Sequence, residues 1–449
     1  MLKEKLDQYL KEDYYPFHMP GNKRSELLDQ RLGYGRDLTE IEGFDNLNDP
    51  KDLFVAMQNK LAEIYRVNEA LITTNGSTSG ILASIRAMTK DNKNILVQRS
   101  SHKSVYNAIE LNDLDPDYLE VSLDEVNAVK DIDYERLEEM LAKKDYATLV
   151  VTSPSYEGYN LDLDRIYGTC QKYKTKLLVD LAHGSHLLLN KLYTNSFDVA
   201  VTSFHKNLSA LTPSAGLLIN DRGLFGEIKR NLAIFQTSSP SYLILQSIDE
   251  MIENFGKFYD LYGKLDIKLN KIYDLDLKNL KIIDDNKKDK SKILISTKDT
   301  TISGKHLGEL LRDKKIEIEM AYPEYTLLIG TIFDRDIGFD RLSQALVEID
   351  KEINKKESPR QVTINTPKKK MKIYEAISSN KEKTPLGAAL GKISSQYVYA
   401  YPPGIPLLVP GEVIDRDVLS TISYFKSNDF DLNIDGEFIY TIIDKVNKN

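Results

Sequence analysis

One cysteine among 449 residues leaves Cys170 without an internal disulfide partner, and in the helix-like stretch LDRIYGTCQKYK it reads as a packed helix residue rather than a nucleophile. The chain has no excess of positive charge. Its 60 Lys and Arg are scattered among 68 Asp and Glu, for a net charge of −8, which argues against a nucleic-acid partner. No apolar run approaches a membrane span. The segment MLKEKLDQYLKEDYY is charged from its third residue and lacks an apolar core of signal-peptide length. The expectation is a soluble, cytoplasmic protein with no membrane partner. There is no internal repeat, and the length exceeds one compact core, so two or three structural domains are expected.

Charge is also locally scarce in a telling place. Between Val199 and Asn220 the chain reads VAVTSFHKNLSALTPSAGLLIN, where Lys206 is the one side chain with a formal charge at neutral pH. An ammonium flanked by segments apolar enough for a core is costly to desolvate unless it is deprotonated or used covalently. Such a lysine serves as a Schiff-base nucleophile; the bland alternative is a lysine snorkelling from a half-buried loop.

Upstream, KLLVDLAHGSH places Asp180 at the end of a short apolar strand, followed by Ala182, His183 and Gly184. Further back, LITTNGSTSGILASIRAM reads as strand, Gly/Ser/Thr turn and helix, so Ser77 and Thr78 offer hydroxyls where a helix N-terminus also points its amides. In RSSHKSVYNAI, His102 starts a helix one strand-helix unit later and can stack its ring on a planar ligand. Each piece has a plainer reading: an N-cap for the Ser/Thr turn, a cap or metal ligand for Asp180, an exposed helix start for His102. Together, an anion cradle, a carboxylate and a lysine, each after an apolar strand, meet the needs of pyridoxal phosphate for its phosphate, its ring nitrogen and its aldehyde.

From about residue 50 to 220, ALITTN, NILVQR, ATLVVTSP, KLLVDLA and FDVAVTSF are continuous apolar runs ending in turn residues, with helical patterns such as DYERLEEMLAKK between them. This predicts a mainly parallel sheet with helices on both faces and ligands at the carboxyl ends of its strands. The domains are set at 1–45 (N-terminal arm), 46–255 (large α/β domain), 256–355 (smaller α+β domain), 356–370 (linker) and 371–449 (C-terminal domain). The linker KKESPRQVTINTPKKKMK reads as a solvated connector rather than a binding patch. Beyond it, YPPGIP fixes a rigid extended loop, and Glu412 in PGE is either part of a site or a cap for the helix beginning near Arg416.

The strings FHMPGNKR, LTEIEGFDNLNDP, NGSTSG, RSSHKS, SPSYEGYNLDL, VDLAHGSH, SFHKNLSALTPSA and YPPGIPLLVPGE resemble the Orn/Lys/Arg decarboxylase family and span residues 17 to 412 in order. The resemblance implies the aspartate-aminotransferase fold (PLP fold type I), in the form without an N-terminal wing domain. It implies Lys206 as the residue holding the cofactor aldehyde, Asp180 on the pyridine nitrogen, His102 stacked on the ring and Ala182 beneath it. Ser77, Thr78, Ser203 and His205 fall on the phosphate side, and His183 lies near the phenolic oxygen or the substrate carboxylate. Lys206 or His205 would return a proton to the α-carbon, while His18, Tyr156, Gln396 and Glu412 would face the substrate. The implied reaction is decarboxylation of arginine, lysine or ornithine to an amine that feeds polyamine synthesis, in a homodimer with shared sites and without a metal.

Three positions depart from the family pattern. Asn22 follows HMPG where histidine is usual, Asn48 stands for another histidine, and Gln396 lies near where a glutamate often precedes YPPGIP. The last change removes a carboxylate from the expected pocket for a distal cation. Two other readings stay open. A transaminase would want an arginine clamp from the C-terminal part, where only Arg341, Arg360 and Arg416 follow residue 340. A cofactor-binding but catalytically idle protein is the third.

Overall fold

The computed structural model describes residues 1–12, 14–356, 366–400, 405–430 and 432–443. The first strands are β1 Glu69–Thr73, β2 Asn94–Gln98, β3 Asp115–Leu119, β4 Val121–Leu123, β5 Val129–Ile132, β6 Thr148–Thr152, β7 Lys176–Asp180, β8 Val199–Ser203 and β9 Ala215–Ile219. Seven of them form one sheet in the order β1-β9-β8-β7-β6-β2-β3. The run from β3 to β8 is parallel. Strand β9 is antiparallel to both neighbours. β4 and β5 make a separate hairpin.

Helices α1 Leu2–Lys11, α2 Leu53–Tyr65, α3 Gly76–Met88, α4 Lys103–Leu111, α5 Tyr134–Lys143, α6 Leu163–Lys172, α7 Phe204–Asn207, α8 Arg222–Phe235 and α9 Tyr242–Tyr273 surround the sheet. The central strands β2, β6, β7, β8 and β9 are largely apolar because successive residues go to opposite cores. Ile95, Val97, Val150, Leu178 and Val201 pack with α3, α4 and α8, whereas Leu96, Leu149, Val151, Leu177 and Val179 pack with α2, α5, α6 and α9. Cys170 sits fully buried in α6, and burial pushes its thiol up to about 12, as expected for a packed residue.

A four-stranded antiparallel sheet follows, of β10 Lys281–Ile282, β11 Lys292–Ser296, β12 Met320–Tyr322 and β13 Tyr325–Ile329. Its helices are α10 Gly304–Asp313 and α11 Asp336–Glu352. The division expected at 255/256 falls inside α9. The apolar stripe of α9 runs without a break from Leu245 through Phe255 to Leu269, in one core with both sheets, so the helix ties the two units together where a boundary was expected.

Two further expectations are corrected. Residues 1–45 are not wholly a free arm. Leu2 and Leu6, four residues apart on one face of α1, are fully buried, and the Met1 ammonium donates to Asp249 at 3.2 Å, so α1 is docked on its own chain. The lysine-rich stretch is not merely a solvated connector either. Residues 357–365 lie outside the described residues, but Lys369 Nζ bridges Asp115 at 2.7 Å and the Pro116 carbonyl at 2.5 Å, clamping the segment to the edge strand β3. The C-terminal part holds helices Ile373–Ser378 and Arg416–Ser427 and a strand pair, Lys381–Pro385 with Phe438–Ile442. Residues 401–404, most of the YPPGIP strap, lie outside the described residues. Among the described residues, no helix is long and apolar enough to cross a membrane.

Candidate active site

The ends of β1, β2, β6, β7 and β8 converge on one cavity of about 230 Å³, lined by Ser77, His102, Tyr156, Asp180, Ala182, His183 and Lys206 among others. After β1 the chain turns through Gly76, which takes a left-handed φ of +72° that glycine adopts without strain. The Gly76 N–H donates to the Pro213 carbonyl at 2.8 Å. Asn75, the N-cap of α3, makes no side-chain capping bond, so no side-chain cap consumes the first-turn amides. Ser77 lines the cavity; Thr78 sits beside it in the same turn, outside the lining.

β7 ends on Asp180, which is buried with one carboxylate oxygen accepting the Ala182 N–H at 3.1 Å. Burial raises its pKa, and the charge of Lys206 and the Ala182 amide oppose the rise. His102 is the N-cap of α4 and its Nδ1 accepts the Ser104 N–H at 3.2 Å, which leaves the ring proton on Nε2. Burial, reinforced by the positive charges of Lys206 and Lys103, brings the His102 pKa down to about 4, so the ring is neutral at physiological pH.

β8 ends on Ser203 and passes into the single turn of α7, which carries His205 and Lys206. Lys206 Nζ lies 2.8 Å from His183 Nε2. Burial lowers the Lys206 pKa, and Asp180 and Glu319 counter it. The Tyr156 ring packs against His183 with centroids 4.4 Å apart, and its hydroxyl donates to Glu319. His205 does not line the cavity: its Nδ1 donates to the Ser214 carbonyl at 2.8 Å. The Ser203 and Ser214 hydroxyls, on either side of this segment, are buried without a hydrogen-bond partner among the described residues.

These features fit pyridoxal phosphate. The orphaned hydroxyls and the uncapped start of α3 offer donors to an anion, Asp180 retains acceptor capacity in the cavity, and Lys206 is the amine beside it.

Within this chain, three expected substrate contacts are not brought to the cavity. His18 lies against Tyr9, its Nε2 3.2 Å from the hydroxyl. Gln396 accepts the Tyr440 N–H at 3.0 Å in the C-terminal part. Glu412 is buried in a bidentate pair with Arg99, at 2.7 and 3.0 Å. It does not cap the helix at Arg416 either, since Asp415 does so by accepting the Val418 N–H.

Two buried site residues escaped the sequence reading. Glu157, inside the quoted SPSYEGY, lines the cavity while accepting hydrogen bonds from Tyr325 at 2.9 Å and Ser155 at 3.0 Å. Lys292, the first residue of β11, is fully buried with its Nζ 3.0 Å from His183 Nδ1. The signal for Lys292 was the one already used for Lys206, a charged residue abutting an apolar run, here KILIST.

Solved structures place the fold in its class. The chain superposes on a lysine decarboxylase of Francisella novicida with a TM-score of 0.84 at 17% identity, covering 98% of this chain and 81% of that one. The constitutive lysine decarboxylase of E. coli gives 0.83 at 17%, covering 98% and 82%. A structure of SPT with PLP matches more loosely, at 0.53 and 12% identity over 66% of this chain and 76% of that one. The class is PLP fold type I. Family models for the Orn/Lys/Arg decarboxylase major domain and C-terminal domain match residues 2–257 and 355–433, and the chain belongs to that family. Arginine decarboxylase of Bacillus subtilis (strain 168) is 29% identical over 94% of this chain and 92% of its own length. That of Halalkalibacterium halodurans is 27% identical over 94% and 91%. The family and its named relatives support an amino-acid decarboxylase acting on a basic amino acid, against the transaminase reading.

Proposed function

We propose that the chain binds pyridoxal phosphate through Lys206 and decarboxylates arginine to agmatine and carbon dioxide, a step that supplies polyamine synthesis. The observation that carries the reading is the meeting of Lys206, Asp180, His102 and the start of α3 in one cavity. When bound, the cofactor supplies an electron sink for the breaking carbon–carbon bond. The chain's residues do the rest. Asp180 would keep a proton on the ring nitrogen, His102 and Ala182 would hold the ring, and Ser77, Ser203 and the α3 amides would take the phosphate. Lys206, in the cavity beside His183, would be the group to carry a proton. The substrate's distal cation calls for a buried carboxylate, and Glu157 is the acidic residue that lines the cavity besides Asp180. The curated relatives named arginine decarboxylase favour arginine over lysine and ornithine.

The test incubates purified protein and pyridoxal phosphate with each of the three amino acids and measures carbon dioxide and amine. Agmatine from arginine should dominate; a keto acid, or no carbon dioxide from any substrate, would sink the proposal.

The same reading includes a homodimer. Tyr15, Phe17 and Met19 are 74, 90 and 64% exposed on the HMPG segment, an apolar strip that a second copy would cover. Chains carrying Phe17→Ser and His18→Ala, mixed with Lys206→Ala chains, should regain activity on subunit exchange; no recovery despite demonstrated exchange would count against shared sites.

A further inference from the structure

His183 stands between two lysines. Its Nε2 is 2.8 Å from Lys206 Nζ and its Nδ1 is 3.0 Å from Lys292 Nζ. A neutral imidazole has one N–H donor and one acceptor, whereas an ammonium can only donate. Both contacts can be hydrogen bonds with a neutral ring only if the lysine that faces the ring N–H is a neutral amine, so the two lysines are not both ammonium.

The surroundings enforce this count. Lys292 is fully buried, and among the described residues neither lysine has a carboxylate within 4.0 Å. The nearby carboxylate Asp289 is already occupied by His186 at 2.8 Å and Ser291 at 2.7 Å, Glu319 takes the Tyr156 hydroxyl, and Lys288 adds a further cation that donates to the Lys292 carbonyl. Two ammonium groups in this setting would repel across a low-dielectric gap. Burial, with Asp289 opposing and the Lys206 charge adding, brings Lys292 to about 8, while burial and the flanking cations hold His183 well below its ordinary value. The approach is built in: at Gly158, with φ of +102°, any Cβ would lie 2.8 Å from the Lys292 stem.

We infer that Lys206, His183 and Lys292 form a proton relay in which Lys292 stores the proton that Lys206 must shed to become a nucleophilic amine. A proton leaves Lys206 Nζ for His183 Nε2 as the Nδ1 proton passes to Lys292 Nζ. Two N–H bonds break and two form, the imidazole changes tautomer, and the total charge stays at +1. The reverse shift returns the proton to Lys206. Lys292 is thus a positioning residue acting through His183, supplied by the small-domain sheet. The relay rests on Lys206 being the reactive amine of the proposed function, but its protonation can be read without turnover.

The experiment measures the pH dependence of trace acetylation of Lys206, by mass spectrometry of its peptide, on full-length chain freed of any carbonyl cofactor with hydroxylamine. Lys292→Arg, a permanent cation that can only donate, should force the ring proton onto Nε2 and lower the apparent pKa of Lys206. Lys292→Met, with neither charge nor acceptor, should raise it. The two should differ by about one unit or more, tenfold in labelling rate at fixed pH. A packing role alone would not move the two in opposite directions, and equal titration of Lys206 in wild type and Lys292→Arg overturns the relay. Should the variants not fold, ¹³C-lysine NMR of the wild-type chain decides: one neutral amine and one ammonium of the pair at about pH 9 support the relay, and two ammonium or two neutral signals there overturn it. Carbon dioxide release, assayed separately, tests the decarboxylase reading independently.

Discussion

Arg99 with Glu412 and Lys206 with Lys292 are two buried ionic clusters built on opposite principles. In the first, every strong group is matched. The guanidinium makes two bonds to the carboxylate and one to the Leu407 carbonyl at 3.3 Å. It also lies 4.9 Å from the Tyr118 ring centroid, and Glu412 accepts the Val409 N–H at 2.8 Å. This cluster clips the C-terminal part onto the end of β2. In the second, the lysines have only a neutral histidine between them. A saturated pair holds structure together, whereas an under-matched cluster keeps charge and lone pairs ready for a ligand.

The sharpest way to break this comparison is Lys206→Ala. It should abolish turnover, a loss of about 5 kcal/mol or more in transition-state stabilisation, without lowering the melting temperature, because it removes an under-matched buried cation. Borohydride should fix the cofactor to the Lys206 peptide of wild type; labelling of another lysine would refute the assignment. Asp180→Asn should cost roughly a thousandfold in kcat, about 4 kcal/mol, with much less effect on cofactor retention. Near wild-type turnover would reduce Asp180 to a capping residue.

On the other cluster the readouts should invert. Arg99→Met strands the Glu412 carboxylate and should destabilise the fold by roughly 3 kcal/mol in denaturant titration, while the kcat of the folded protein stays close to wild type. Adding Glu412→Leu should recover much of the loss; no recovery would mean that packing, not charge matching, dominates there.

The smallest effect is on acid stability. His102 binds its proton less readily folded, at about 4, than unfolded, at about 6.5, so the unfolded chain takes up more protons between those values. Stability is then full above about pH 6.5 and is lost as pH falls towards 4, by roughly 2–3 kcal/mol. His102→Phe should flatten that part of the curve; an unchanged profile would mean that other groups set it.

The strand-end residues were legible because a parallel sheet puts its loops on one edge: each apolar run predicted a strand, and the residue after it fell at the site. Lys206, Asp180, His102 and Ser77 share that logic. Glu157 and Lys292 do not. Glu157 is buried by contacts from β13 that its own segment does not announce, and Lys292 has the mark of a charge abutting an apolar run, KILIST, but that run belongs to the second sheet and does not point to this cavity. The family resemblance put His205 on the phosphate side; the structure shows its Nδ1 donating to the Ser214 carbonyl, a pairing that only the fold reveals.

The sequence by itself determined the mainly parallel α/β core, through continuous apolar runs alternating with amphipathic helical segments, and it named the lysine, aspartate and histidine at the ends of those runs. Only the tertiary structure decided that α9 bridges the place where a boundary was expected, that Glu412 serves Arg99 rather than the cavity, and that a lysine of the small sheet reaches His183. These depend on which surfaces meet after the elements form. Pairings across long stretches of chain are set by packing and desolvation in three dimensions, and periodicity and spacing along one segment carry no record of them.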